Sequence, residues 1–243
     1  MNDFKKSADG FGMSEFMENE AEFIPISEEE MDQDAEEKPI PEELPVLPLR
    51  NIVLFPGVVI PIAIGREKSH QLIKDVQAAK GYFGALTQKD FKVEEPGVDD
   101  LYHTGTVARI VKILDMPDNS TSVIIQGKKR FHLDEMVSED PYFKGRIRVL
   151  EETEPEGDKT REFEAVVSSL KDLSLKLIKQ SPNVPSEASF AIRNIESPAF
   201  LINYVSANSE IAVNEKQRLL ETEDLKNRGL RLVEYLVREV QLS

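Results

Sequence analysis

LPVLPLRNIVLFPGVVIPIAIGREKS, residues 44–69, carries the reading that decides the fold. Its prolines at 45, 48, 56 and 61 suit edge strands and bends better than a central ladder. Within it, VVIPIAIG (58–65) is a continuous apolar run of strand length that stops at Gly65. The period then changes. In REKSHQLIKDVQAAKG (66–81), Leu72, Ile73, Val76 and Ala79 share one helical face, and Gly81 is the expected close.

Downstream the chain returns to strands. YFGALTQ (82–88) is extended, and GTVARIVKIL (105–114) alternates with its apolar face imperfectly separated. MPDNST (116–121) is a turn cluster that sends TSVIIQG (121–127) back as a hairpin. FHLDEMV (131–137) and YFKGRIRVLEE (142–152) complete the set. In the last, Phe143, Gly145, Ile147 and Val149 oppose Lys144, Arg146 and Arg148. Several short strands with one inserted helix imply a small, partly closed β-barrel or sandwich over 44–153.

After the acidic link ETEPEGDKT (152–160) the period becomes helical. Phe163, Val166, Val167, Leu170, Leu173 and Leu177 form one stripe, and SPNVPSE (181–187) breaks it. Ser197 and Pro198 read as an N-cap followed by proline at the first helical position. A short helix is expected around 215–221, and Thr222 as cap of a last helix with Leu225, Leu232, Val233, Leu236, Val237 and Val240 on its stripe. Gly229 inside that helix costs on the order of 1 kcal/mol against alanine, so tight packing or a bend is expected there. The helix reaches Ser243 without a capping glycine, as expected of a chain that continues. The predicted class is therefore α+β, with a helical subdomain over 158–243.

Upstream, residues 1–43 form an acidic leader that composition predicts to be disordered. Residues 1–44 hold 15 Asp and Glu against three Lys, a net of −12 out of −15, so the remainder sits near −3. Phe4, Phe11, Met13, Phe16 and Met17 leave two readings open, a solvated leader or a peptide that docks its aromatics on a partner. A nearly neutral body offers little counterion-release energy for nucleic acid. Two basic groups, Lys128, Lys129 and Arg130 on one strand and Lys144, Arg146 and Arg148 on another, read as a nucleic-acid platform or as a solvated face. The sequence has no cysteine, no secretory h-region and no apolar run of the roughly 18 residues a membrane helix needs. A cytoplasmic protein with no membrane partner is expected.

Chemistry is hard to find. SVIIQGKK (122–129) has Ser122 where a phosphate loop needs its first glycine and Lys129 where it needs a hydroxyl. His70, His103 and His132 show no metal-ligand spacing, and no G-x-S-x-G elbow occurs. No catalytic, cofactor-binding or metal residue is assigned.

Four segments in order nevertheless carry a specific likeness. Residues 44–69, EEPGVDDLYHTGTVARIVKIL (94–114), VIIQGKKRF (123–131) and SPAFLINYVSANSEIAVNEKQRLLETEDLKNRGLRLVEYLVREV (197–240) together resemble the N-terminal domain of the ATP-dependent Lon protease family. The resemblance implies a PUA-like β-barrel followed by a C-terminal helical bundle. It implies capture of misfolded or degron-bearing proteins and self-association in a hexamer, in protein quality control. ATP, Mg and a Ser–Lys protease site would belong to segments beyond this sequence, so no cofactor and no catalysis are expected of this chain itself. The leader is longer than usual for the family. A surface that accepts many unfolded sequences should be a shallow apolar patch, for which Phe91, Leu101, Tyr102 and Met116 are the candidates. An RNA-binding PUA-like module and a stand-alone substrate adaptor are the alternatives.

Overall fold

A computed structural model describes residues 38–180 and 186–242; the leader proper, residues 1–37, and most of the break after Gln180 lie outside them. Six strands and six helices follow in order. They are β1 (Glu43–Leu49), β2 (Val59–Ile64), α1 (Glu67–Ala79), β3 (Tyr82–Thr87), β4 (Thr104–Asp115), β5 (Thr121–Ser138) and β6 (Lys144–Val149). The helices α2 (Thr160–Gln180), α3 (Ser186–Asn194), α4 (Pro198–Asn208), α5 (Val213–Glu221) and α6 (Leu225–Leu242) complete the chain.

The sheet closes on itself. Its order is β2-β5-β4-β3-β1-β6, and β5 pairs β6 as well, so β5, β4, β3, β1 and β6 form a ring from which β2 hangs on β5. Only β1 and β3 run parallel, joined through β2 and α1; the other pairings are antiparallel. β5 can serve both β2 and β6 because it is one 18-residue strand, where the sequence suggested two. Register shifts between Leu133 and Glu135 and between Met136 and Ser138 make room for the bend, the usual work of β-bulges at a rim.

Inside the ring, Phe131, Leu133, Ile147, Leu44, Val46 and Val107 form one apolar cluster. Glycines let the walls approach. A Cβ on Gly84 would stand 2.7 Å from Phe131 Cζ, and one on Gly105 would stand 2.1 Å from the Ala85 carbonyl oxygen. A second cluster lies where Leu72, Ile73 and Val76 of α1 cover Ile62, Ile64, Val123 and Ile125. Of the expected helical face of α1, Leu72, Ile73 and Val76 are buried, while Ala79 at its end is exposed. Its end is not closed by Gly81: Lys80 takes the left-handed conformation, at φ 48°. A side chain there is strained, so Lys80→Gly is expected to stabilise the fold by about 0.5–1 kcal/mol, read as a higher urea midpoint. An unchanged or lower midpoint would refute the strain.

The third cluster unites the two halves of the chain. Val53, Phe55 and Val58, from the loop between β1 and β2, pack among Phe163, Val166, Leu170, Leu201, Ile202, Leu219 and Leu232. Gly57, at φ 77°, lies so close to α4 that an added Cβ would stand 2.8 Å from Phe200 Cδ2. Tight packing, not a bend, explains Gly229, since a Cβ there would stand 2.8 Å from Val166 Cγ1 of α2. Ser197 caps α4 as read, its Oγ accepting from Phe200 N at 3.1 Å. The cap of α6 is Asp224 and not Thr222, since Asp224 Oδ1 accepts from Asn227 N at 2.7 Å. Thr222 instead ends α5. The last part of the segment read as leader joins the fold: Ile147 N donates to Glu42 O at 2.8 Å, and Ile40 packs on the ring interior.

Candidate functional site

The four candidate residues do not converge. Leu101 is fully buried in the ring cluster and offers no surface. It serves as an anchor, bridging Gln88, while Tyr102 N donates to Thr87 O at 2.9 Å and Tyr102 is half-buried. Met116, half-buried, lies in the hairpin turn at the far end of β4. Twelve residues of strand separate it from Tyr102, on the order of 35 Å at the usual strand rise. Phe91 is the exposed one, at 51%.

Phe91 is held out by a well-organised loop. Gln88 is buried beneath it, and its Nε2 donates to Asp90 O at 3.1 Å and to Val93 O at 2.9 Å. Arg66 Nη2 donates to Gln88 Oε1, and Arg50 Nη2 to Glu94 O at 3.2 Å. Burial, with the neighbouring Arg50 charge, lowers the Arg66 pKa. At the end of the loop Asp100 Oδ2 accepts from Gly97 N at 2.7 Å. An aromatic ring in water on a loop with a polar, hydrogen-bonded base can meet an apolar ligand without first ordering a flexible segment. Gln88 was not visible as an organiser in sequence, where it reads as the polar end of a strand.

Other exposed apolar side chains escaped the sequence reading: Val111 on β4, Val137 on β5, Phe190 on α3, and Leu230 and Leu242 on α6, while Val237, read on the stripe of the last helix, is exposed as well. For Val111 a signal existed. Ile110 pairs Ile125 and Lys112 pairs Ile124, so Val111 is an extra residue, and this bulge is what blurred the alternation of 105–114.

The basic groups divide differently from their reading. Arg130 is not a surface cation at all; it is fully buried, because the helices pack over the outer face of β5 at that point. Its Nε donates to Glu152 Oε1 at 2.8 Å, its Nη1 to Leu220 O at 3.1 Å and its Nη2 to Glu151 O at 3.2 Å. A second fully buried arginine, Arg228 of α6, shares the same carboxylate, its Nη1 lying 3.1 Å from Glu152 Oε2. Arg228 also donates to Asn203 Oδ1 at 2.9 Å and, through Nε and Nη2, to Thr222 O at 3.0 and 2.6 Å. Burial lowers the Arg228 pKa, and the Glu152 charge acts in the opposite direction. This Arg–Glu–Arg joint ties β5, the link, α4 and α6 together. Nearby, Gln217 Nε2 donates to Thr104 O at 2.9 Å and Leu225 N to Thr153 O at 3.1 Å.

On β6 the cations are exposed but answered. Arg146 pairs Glu135 at 2.6 Å and Glu43 at 3.4 Å, Arg148 pairs Asp134 at 3.2 Å, and Lys144 lies 3.9 Å from Glu43. Acids from β1 and β5 thereby cancel most of the field a polyanion would need. His103, just before β4, and His132 of β5 meet edge to face with ring centroids 6.4 Å apart. Burial lowers the Lys216 pKa to about 8, and its Nζ donates to Ala207 O at 2.7 Å, closing the last turn of α4. Among the described residues no helix is long and apolar enough to cross a membrane, and no cluster of His, Asp and Glu is placed to hold a metal ion.

Comparison with known proteins bears on this arrangement as a whole. The family model of the ATP-dependent protease La (LON) substrate-binding domain matches residues 43–238, from the first strand to the last helix. The Lon protease of Flavobacterium johnsoniae is 48% identical over 233 residues, 96% of this chain and 28% of its own length. That of Parabacteroides distasonis is 46% identical over 220 residues, 89% of this chain and 26% of its own. The chain thus spans little more than a quarter of these relatives. Among solved structures, the N-terminal domain of a Mycobacterium avium complex Lon protease superposes with a TM-score of 0.64 at 21% identity, covering 80% of this chain and 98% of that one. A Lon N-terminal domain protein from Xanthomonas campestris gives 0.57 at 17% identity, covering 79% and 98%. At these identities the two structures speak for the mixed α+β fold.

Proposed function

The chain belongs to the Lon substrate-binding domain family, and on that premise we propose that it binds unfolded or degron-bearing protein segments and presents them to a Lon-type assembly. The match of a substrate-binding family across residues 43–238 carries the reading. The exposed ring of Phe91, on a loop braced from below, is a physical means of doing it. In this reading the strand-rich part, 44–153, is a PUA-like barrel that meets the substrate. The part from 158 to 243 is a helical bundle that holds it in a hexamer through the apolar side chains left on α6. ATP hydrolysis and serine-protease chemistry lie in other segments of the assembly, within protein quality control in the cytoplasm. No nucleic acid or membrane partner is part of the proposal.

The test is photo-crosslinking with reduced, carboxymethylated α-lactalbumin bearing a benzophenone, followed by mapping of the adducts. Adducts are expected on residues 88–101 and along β4, and Phe91→Ser is expected to weaken them several-fold without lowering the unfolding midpoint, since removing one aromatic anchor from an apolar contact typically costs about 1–2 kcal/mol. Labelling confined to residues 1–37 would count against the reading.

A further inference from the structure

Ring closure removes the free edges of β1, β3 and β6, but not those of the hairpin that projects beyond it. β3 accompanies β4 only as far as the pair Tyr82 and Arg109. Among the described residues, from there to Asp115 β4 has β5 on one side and no strand on the other. Among the described residues no hydrogen bond beyond the β5 ladder reaches the backbone of Val111 to Asp115.

Which groups face outwards follows from the hairpin turn. Met116 N donates to Ser120 O at 2.9 Å, so Met116 turns its backbone towards β5. Antiparallel ladders alternate, so Leu114 and Lys112 do the same, while Ile113 and Asp115 aim their N–H and C=O groups away. The same alternation makes Thr121, Val123 and Ile125 of β5 face β2, where they pair Ile64, Ile62 and Ile60. Pro61 and Ala63 then point out of the sheet's other edge, and Pro61 has no N–H to offer. One free edge is thus blocked by proline, as edges commonly are. The other, Ile113 to Asp115, is open.

Its surroundings are apolar on both faces. Ile113 packs towards the cluster under α1, and on the opposite face Leu114 and Ile124 are half-buried beside the exposed Pro61 and Ala63. Val111, turned out by its bulge, and Met116 flank the open groups at either end. Unpaired main-chain groups between apolar faces fit one kind of ligand: an extended backbone with apolar side chains, gripped without regard to its sequence. We infer that the Val111–Asp115 edge of β4 docks an extended apolar stretch of unfolded protein as an added strand. The inference rests on the substrate-binding reading and specifies its mode. The bulge at Val111 and the charge of Lys112 keep the usable ladder short, so the grip is reversible and copies of the chain do not pile edge to edge.

The probe is a fluorescein-labelled decapeptide, apolar at its centre and flanked by lysines, added to the 243-residue chain labelled with 15N. Binding is expected to slow amide exchange at Ile113 and Asp115 at least tenfold, with little change at Lys112 and Leu114, which the hairpin already protects. Ile113→Pro removes an N–H that the hairpin does not use, and about a tenfold loss of affinity is expected, with Ile113→Ala, which loses the same packing but keeps the N–H, as the reference. A peptide N-methylated at alternate central residues should lose binding in one register and keep it in the other. If the peptide binds while exchange at Ile113 and Asp115 stays unaltered, the edge is not the dock and the substrate-binding reading survives. The exchange measurement decides even where Ile113→Pro fails to fold. If neither the peptide nor carboxymethylated α-lactalbumin binds at all, both fall.

Discussion

Replacing Glu152 by alanine is expected to destabilise the chain by about 3–5 kcal/mol, the usual cost of leaving a buried charge without its partner. Two guanidiniums with fully buried side chains, Arg130 and Arg228, share this carboxylate, while Glu152 itself keeps 27% of its side chain exposed. That residual access to water places the effect towards the lower end of the range. The carbonyls of Leu220, Glu151 and Thr222 and the Asn203 amide oxygen would remain as acceptors. None of them carries charge. Urea unfolding followed by circular dichroism measures the loss, with Glu154→Ala, an exposed neighbour, as reference. A midpoint shift no larger than the reference would mean that the carbonyls alone suffice. Replacing all three members by apolar residues of similar volume should cost far less than the single change, since the penalty comes from the orphaned charges.

Phe131→Ala carries an effect of similar size by a different route, about 3–5 kcal/mol from lost transfer energy and an unfilled void. The ring of Phe131 is fully buried inside the closed sheet and fills the space left by Gly84. Closure makes the walls stiff, because each strand of the ring is hydrogen-bonded on both sides. The cavity therefore should not collapse, and a small apolar solute such as benzene should raise the variant's Tm while leaving the parent unaffected. A loss below about 1.5 kcal/mol, without rescue, would show that the ring closes over the gap.

These two neighbours on β5 show where the sequence was readable and where it was not. Phe131 was legible as an apolar strand residue, as were the stripe of α2 and the Ser197–Pro198 start of α4, because local period and capping chemistry determine them, whereas Gly229 read equally as a tight approach or a bend. Arg130 was not. In sequence it belongs to a basic triplet on a strand, and only the helices arriving some 90 residues later turn that face into interior. The unbroken length of β5 was hidden for a related reason, since bulges shift the parity that strand reading relies on. Asp224 displaced Thr222 as cap because Thr222 is taken up in ending α5, which leaves the residue directly before Leu225 to cap α6. Of the candidate surface, Phe91 is exposed, Leu101 is core, and the open edge of β4 could only come from knowing which strands pair.

Ring closure joins Glu43 of β1 to Arg146 of β6 across 103 positions of sequence. A ribosome adding about 5–20 residues each second needs on the order of 5–20 s to make that much chain. For that interval the newborn β1 waits without its β6 neighbour, and Arg130 waits longer still for the Leu220 carbonyl. The domain therefore spends its own first seconds unfinished, and slowing synthesis between β6 and α5 should lengthen the time it can be captured by chaperones.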